Sequence, residues 1–181
     1  MTEHPARQAV IRTLRDLRAV REFSPEPVPE AFLADAYEVA RWTGSARNLQ
    51  PWDLVVVRDR ATLTELAAGE GYARHLAGAP LAIVLVLDNA NAEFAAYDEG
   101  RLAERLMLAA AAYGLGSCIG WWSGAGRERA RDLIGAPATA VVRTALSIGY
   151  PATGELKPRR SGGVGETRKP IAEFVHQERY A

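Results

Sequence analysis

Apolar residues recur along this chain at two different spacings, and segments of the two kinds follow one another from end to end. In QAVIRTLRDL, Val10, Ile11, Leu14 and Leu17 fall at helical spacing while Arg12, Arg15 and Asp16 take the other faces. This predicts a first helix running to about Arg18. Pro25, Pro27 and Pro29 interrupt it, and Pro29 suits the first turn of a second helix with Phe32, Leu33, Ala36, Val39 and Ala40 on one side. After the stretch GSARNLQPW, the β-branched run DLVVV reads as a short buried strand, and ATLTELAAG as a weaker helix. PLAIVLVLD is unbroken in its apolar character, which predicts a strand covered on both faces.

The most apolar helix is expected from Tyr97 to Tyr113, with Leu102, Leu106, Ala109 and Ala110 on one stripe and Met107 and Ala111 widening it. GLGSCIGWW then passes through Gly114, Gly116 and Gly120 into an extended piece, RERARDLIG reads as a surface helix, and VVRTALSIGYP as a final alternating strand. Residues 151–169 are rich in Gly, Pro and charge and are expected to form a long loop. The closing segment, 170–181, regains apolar character and is expected to dock. Periodicity gives mixed α and β structure in one domain, 1–181, without internal repeats.

Composition narrows the classes. The 181 residues, 48% hydrophobic, suffice for one sizeable core. Lys plus Arg and Asp plus Glu are 22 each, so no global charge draws the chain to nucleic acid or an anionic membrane. MTEHPARQAV lacks the apolar core of a signal peptide, and no run reaches the roughly 18 apolar residues of a membrane span, so a soluble, cytoplasmic protein is expected. Cys118, the only cysteine, rules out an intrachain disulfide and reads better as a buried small hydrophobe than as a nucleophile.

Candidate chemistry is sparse. His4, His75 and His176 are scattered without metal-ligand spacing, so no metal site is expected. The sequence has no GxSxG elbow, no GxxxxGK[ST] phosphate loop and no complete GxGxxG fingerprint. What remains is two basic pairs far apart in sequence, Arg18 with Arg21 and Arg168 with Lys169. Either pair alone reads as solvated surface, whereas together they could clamp a phosphate. Gly44, Ser45, Asn48 and Gln50 likewise suit either a turn or a polar pocket.

In order, RAVREF, PEPVPE, ARWTGSARNLQPWDLVVVRD, GAPLAIVLVLD, AAAAYGLGSCIG, LSIGYP and RKPIAEFVHQERY resemble the nitroreductase family of FMN-dependent oxidoreductases across residues 14–180. The resemblance implies an α+β fold, a central and mostly antiparallel sheet flanked by helices, and an intertwined homodimer with FMN at its interface. It implies an enzyme, a flavoprotein that moves hydride from NADH or NADPH through flavin N5 to a nitroaromatic, quinone or enone, in a ping-pong scheme without a side chain as catalyst. The rival reading is an FMN store or redox sensor without steady turnover.

The family's opening motif, Arg-Arg-Ser-x-Arg-x-Phe, falls on residues 17–23, keeping Arg18, Arg21 and Phe23 but placing Leu17 for the first Arg and Ala19 for the Ser. The resemblance implies that Arg18 and Arg21, with Arg168 and Lys169, hold the FMN phosphate. Ser45 and Asn48 would reach the flavin of the other subunit, with Gln50 shaping their loop; the family's Pro before that Ser is Gly44 here. A backbone N–H within Ile119, Gly120, Trp121 and Trp122 would face flavin N5. His75 falls where some relatives carry a Lys near the pyrimidine edge, an ordinary surface His being the alternative. Phe94, Tyr97, Trp121 and Trp122 are candidates for the substrate face, with core packing the alternative for both tryptophans.

Overall fold

The computed structural model describes residues 4–88, 92–153 and 168–180. Its four strands, β1 (Trp52–Val57), β2 (Leu81–Leu87), β3 (Gly116–Trp121) and β4 (Val141–Gly149), form one sheet in the order β1-β2-β4-β3, every neighbouring pair antiparallel. The expected α+β class and antiparallel sheet are both present. All of β2 is buried, as its unbroken apolar run requires of an inner strand.

Among the described residues there are five α-helices, α1 (Pro5–Asp16), α2 (Glu30–Arg41), α3 (Arg60–Ala67), α4 (Ala92–Ala112) and α5 (Gly124–Leu133), of which all but α1 bury side chains in the cores that flank the sheet. Side chains alternate along the strands, so each face has its own core. On one, Leu81, Ile83, Leu85, Leu146 and Ile148 meet Phe32 and Leu33 of α2 and Leu102 and Leu106 of α4. On the other, Ala82, Val84, Val142 and Ala145 meet Leu63 and Leu66 of α3, Ala130 of α5, Leu76 and Trp122.

Some elements depart from expectation. DLVVV is an outermost strand and only Val57 in it is buried, because β2 flanks it on one side and no strand among the described residues pairs on the other. Conversely, β4 is buried from Thr144 through Gly149 rather than alternating, because it is an inner strand. Helix α4 begins at Ala92, before the expected Tyr97, and α1 stops at Asp16 because Leu17 leaves helical dihedrals at φ −56° and ψ 127°. Most of the expected 151–169 loop lies outside the described residues.

Two apolar surfaces stay open in a single copy. Helix α1 buries no residue and leaves Val10, Ile11 and Leu14 exposed. The closing segment, with a 3-10 turn at Ile171–Glu173, leaves Ile171, Phe174, Val175 and Tyr180 exposed.

Candidate functional site

Beyond α1 the chain turns and runs along the outer edge of β3. The Val20 N–H donates to Ser117 O at 2.9 Å, and Ala19 bridges Ser117 in parallel sense. Gly116 permits this approach, since a Cβ there would stand 2.6 Å from the Val20 side chain. The result places the Arg21 guanidinium beside the Cys118 thiol and within electrostatic reach of His75.

His75 sits in a 3-10 turn, Arg74–Gly78, that packs over β3 and β4. Its Nδ1 lies 2.8 Å from Ser147 Oγ, and that hydroxyl donates to Cys118 O at 3.4 Å. Nε2 is buried and has no hydrogen-bond partner among the described residues. Burial pushes the His75 pKa down, the Arg21 charge adds to the shift, and the backbone dipoles of Ile119 and Tyr72 oppose it. His75 is half-buried and tied to an inner strand through Ser147. Burial also pushes the Cys118 thiol up, Arg21 pulling the other way.

Strand geometry sorts the amides from Ile119 to Trp122. Trp122 N–H donates to Arg143 O, toward the β4 side, at 2.9 Å. Amides alternate along a strand, so Gly120 also turns its N–H to β4, while Ile119 and Trp121 turn theirs outward. Trp121 meets Tyr72 there: Tyr72 N–H donates to Trp121 O at 2.6 Å and Trp121 N–H to Tyr72 O at 3.4 Å. Ile119 lies between this contact and the Val20–Ser117 bond, its N–H directed by the same alternation to the outer edge.

The two tryptophans part company here. Trp122 is wholly buried, and its Nε1 donates to Leu66 O at 2.9 Å. Both its side chain and its amide are committed to the fold, which corrects its placement in a cofactor site or substrate pocket. Trp121, on the opposite face, is 38% exposed.

The GSARNLQPW loop lies elsewhere. Arg47, Asn48 and Gln50 have φ of 53°, 56° and 49°, left-handed backbone that only Asn among them tolerates well. Hydrogen bonds from side chains add to those of the backbone in holding this shape. Gln50 N–H donates to Ser45 Oγ at 2.8 Å, Gln50 Nε2 to Asn48 O at 3.2 Å, Arg101 Nη1 to Gly44 O at 2.6 Å, and Ala46 N–H to the buried Asp98 carboxylate at 3.4 Å. Asp98 and Arg101 are residues that sequence reasoning missed, since a charge on a helix reads as solvated surface. Phe94 and Tyr97, both exposed, occupy the turns of α4 just before them.

Loop and clamp do not meet within one chain. The loop enters β1, which lies across the sheet from β3 by three strand spacings, roughly 14 Å. Arg18 directs Nη1 to Arg15 O at 2.7 Å and Leu17 O at 2.9 Å, capping the negative end of α1 while its other donors stay available. Arg168 and Lys169 are exposed, and neither is held by a hydrogen bond or ion pair among the described residues. The structure thus gathers Arg21, His75 and Ile119 at the β3 edge, and separately Ser45, Asn48 and Gln50 on α4.

The sequence matches the nitroreductase family over residues 14–69 and 64–150. The chain belongs to the nitroreductase family. A relative named NADH dehydrogenase, from Thermus thermophilus, is 34% identical over 176 residues, covering 75% of this chain and 83% of its own. An FMN-dependent nitroreductase from Clostridium difficile shares the fold, with a TM-score of 0.81 at 23% identity over 94% of this chain and 99% of the other. A Desulfovibrio desulfuricans protein assigned as a nitroreductase, solved in complex with FMN, superposes with a TM-score of 0.75 at 26% identity, over 99% of this chain and 100% of the other. As a nitroreductase-family member, this chain is an oxidoreductase. Among the described residues no helix is long and apolar enough to cross a membrane.

Proposed function

We propose that this nitroreductase-family chain is an NAD(P)H-dependent flavoprotein working as a homodimer, with FMN held along the outer edge of β3. The observation that carries the reading is the convergence on that edge of a cation, Arg21, a buried ring nitrogen without a partner, His75 Nε2, and an outward amide, Ile119 N–H. These groups fit FMN in chemistry: a guanidinium for phosphate, a buried imidazole nitrogen for the polar pyrimidine edge, and a backbone donor for a ring nitrogen. Bound FMN would supply the redox chemistry, accepting hydride from NADH or NADPH at N5 and reducing a nitroaromatic, quinone or enone in an alternating second half-reaction.

The protein's own part is to bind and orient. Arg18 and Arg21, joined by Arg168 and Lys169, would neutralise the phosphate. His75 would fix the pyrimidine edge, and the Ile119 amide, narrowed from the stretch Ile119–Trp122, would face N5. Ser45 and Asn48 belong to the second copy's loop, because β1 and β3 stand at opposite margins of the sheet. The exposed apolar faces of α1 and of residues 170–180 then have a surface to cover, supporting a dimer in which both exchange contacts. The deciding experiment is the visible spectrum of purified protein before and after NAD(P)H. Flavin bands that bleach on mixing are expected. A protein without flavin bands that also fails to take up added FMN sinks the reading.

A further inference from the structure

The three residues Tyr72, Trp121 and Arg127 make a preformed surface beside the β3 edge. The Tyr72 and Trp121 rings stack with centroids 6.1 Å apart and planes at 25°, yet they are 78% and 38% exposed. Their arrangement is fixed by backbone: the two residues exchange both amide bonds, and Gly71 beneath them has φ +130°, where a Cβ would stand 2.2 Å from Trp121 O. Only glycine is accommodated there. Arg127 arrives from α5, where its Nε donates to Trp122 O at 2.9 Å and its guanidinium carbon sits 5.8 Å from the Trp121 ring centroid. That anchor uses one donor and leaves the terminal nitrogens, and no carboxylate forms a salt bridge with Arg127 among the described residues. Ile119, two residues before Trp121 and on the same face, is 45% exposed, so the open strip runs back to the edge assigned to the flavin.

We propose that Tyr72, Trp121 and Arg127 form the recognition platform for the acceptor, and that the acceptor is a planar aromatic molecule bearing an anionic group. A stacked pair of rings held by backbone loses little freedom when a third plane joins it. A guanidinium with free terminal donors takes a carboxylate in bidentate fashion, and lying over an indole it is partly desolvated, which strengthens the contact. The neighbouring Trp122, fully packed and hydrogen-bonded, shows that this turn can bury a tryptophan when only stability is at stake. The inference deepens the oxidoreductase reading and depends on it only for the word acceptor.

The test compares 4-nitrobenzoate with neutral 4-nitrotoluene, both as acceptors in turnover and as ligands of the oxidised protein in equilibrium dialysis. Arg127→Gln is expected to lower the affinity ratio of 4-nitrobenzoate to 4-nitrotoluene about ten- to hundredfold, the range of a charge-assisted hydrogen bond. Tyr72→Ala is expected to weaken both compounds together, at normal FMN content. An unchanged ratio in Arg127→Gln overturns the proposal. So does a shift to monomer in Tyr72→Ala, which would mean that a second copy covers the rings. If wild-type protein binds 4-nitrobenzoate with that ratio but does not reduce it, the platform stands and the oxidoreductase reading of this pocket falls. If it reduces both compounds indifferently, the platform falls alone.

Discussion

His75 Nδ1 and Ser147 Oγ, 2.8 Å apart, tie the 3-10 turn of residues 74–78 to an inner strand through a ring that works best uncharged. Burial first, and Arg21 second, hold the His75 pKa below its ordinary value, so the folded protein resists taking a proton that the unfolded chain accepts near pH 6.5. Stability from this site is therefore complete above that pH and declines as the pH falls toward the depressed folded value. Urea midpoints of the flavin-free protein are expected to drop between pH 7.5 and 5.5. His75→Gln should flatten that slope. A slope equally steep in the variant would assign the effect to another group.

Glu99 and Arg143 make the most buried ion pair among the described residues. Arg143 Nε and Nη2 both reach Glu99 Oε2, at 2.6 and 2.5 Å, joining α4 to the start of β4. Removing one partner strands the other charge in a site that water reaches poorly, so Glu99→Ala should cost about 3 to 5 kcal/mol in a denaturant melt. Replacing both, as Glu99→Leu with Arg143→Met, should recover most of that loss, since a packed apolar pair avoids both desolvation penalties. A double variant as weak as the single one would show that the pair contributes more than mutual neutralisation. Glu99 Oε1, buried without a partner, is where a further contact would be sought.

How much of this was readable in the residues follows from which forces are local. The β2 strand was legible because a strand covered on both faces needs an apolar residue at every position, and PLAIVLVLD has one. DLVVV looks the same in sequence, and only pairing, a property of the whole sheet, makes it an edge. Trp121 and Trp122 are chemically identical neighbours on opposite faces of the chain. Which face is core depends on α3 and α5, distant in sequence, so their parting could not be foreseen. The left-handed backbone at Arg47 and Gln50 has no residue signature, since the contacts that hold the loop, Ala46 N–H to the Asp98 carboxylate and Arg101 to Gly44 O, come from a helix distant in sequence. The resemblance supplied the Ser45 and Asn48 assignment that periodicity could not.

That parting gives a separable pair of variants. Trp122→Phe removes the Nε1 bond to Leu66 O and part of a filled volume, and should cost about 1 to 3 kcal/mol in stability. Below the unfolding range its flavin content and acceptor preference should match the parent. Trp121→Phe should do the reverse, leaving the melt nearly unchanged while shifting relative rates among acceptors. Should Trp122→Phe alter acceptor preference in folded protein, the assignment of its side chain to the core would be insufficient.

The separation of β1 from β3 makes the composite site testable without a structure of the dimer. If each flavin site draws Arg18 and Arg21 from one copy and Ser45 and Asn48 from the other, variants of the two halves should complement each other. The chain with Arg18→Ala and Arg21→Ala and the chain with Ser45→Ala and Asn48→Ala should each bind FMN poorly as homodimers. Unfolded together and refolded, half of the dimers are mixed, and a two-fold interface gives each of these one intact site and one doubly altered site. About one site in four of the total should then regain FMN, read from the flavin absorbance that stays with protein on gel filtration. Distinct tags on the two chains would allow the mixed dimer to be isolated, where the occupancy should approach one flavin per dimer. If both groups instead served a site within one chain, mixing would rescue nothing, because every chain would carry an altered site of its own. Rescue in the mixture but not in either parent would therefore assign the loop to the partner's flavin.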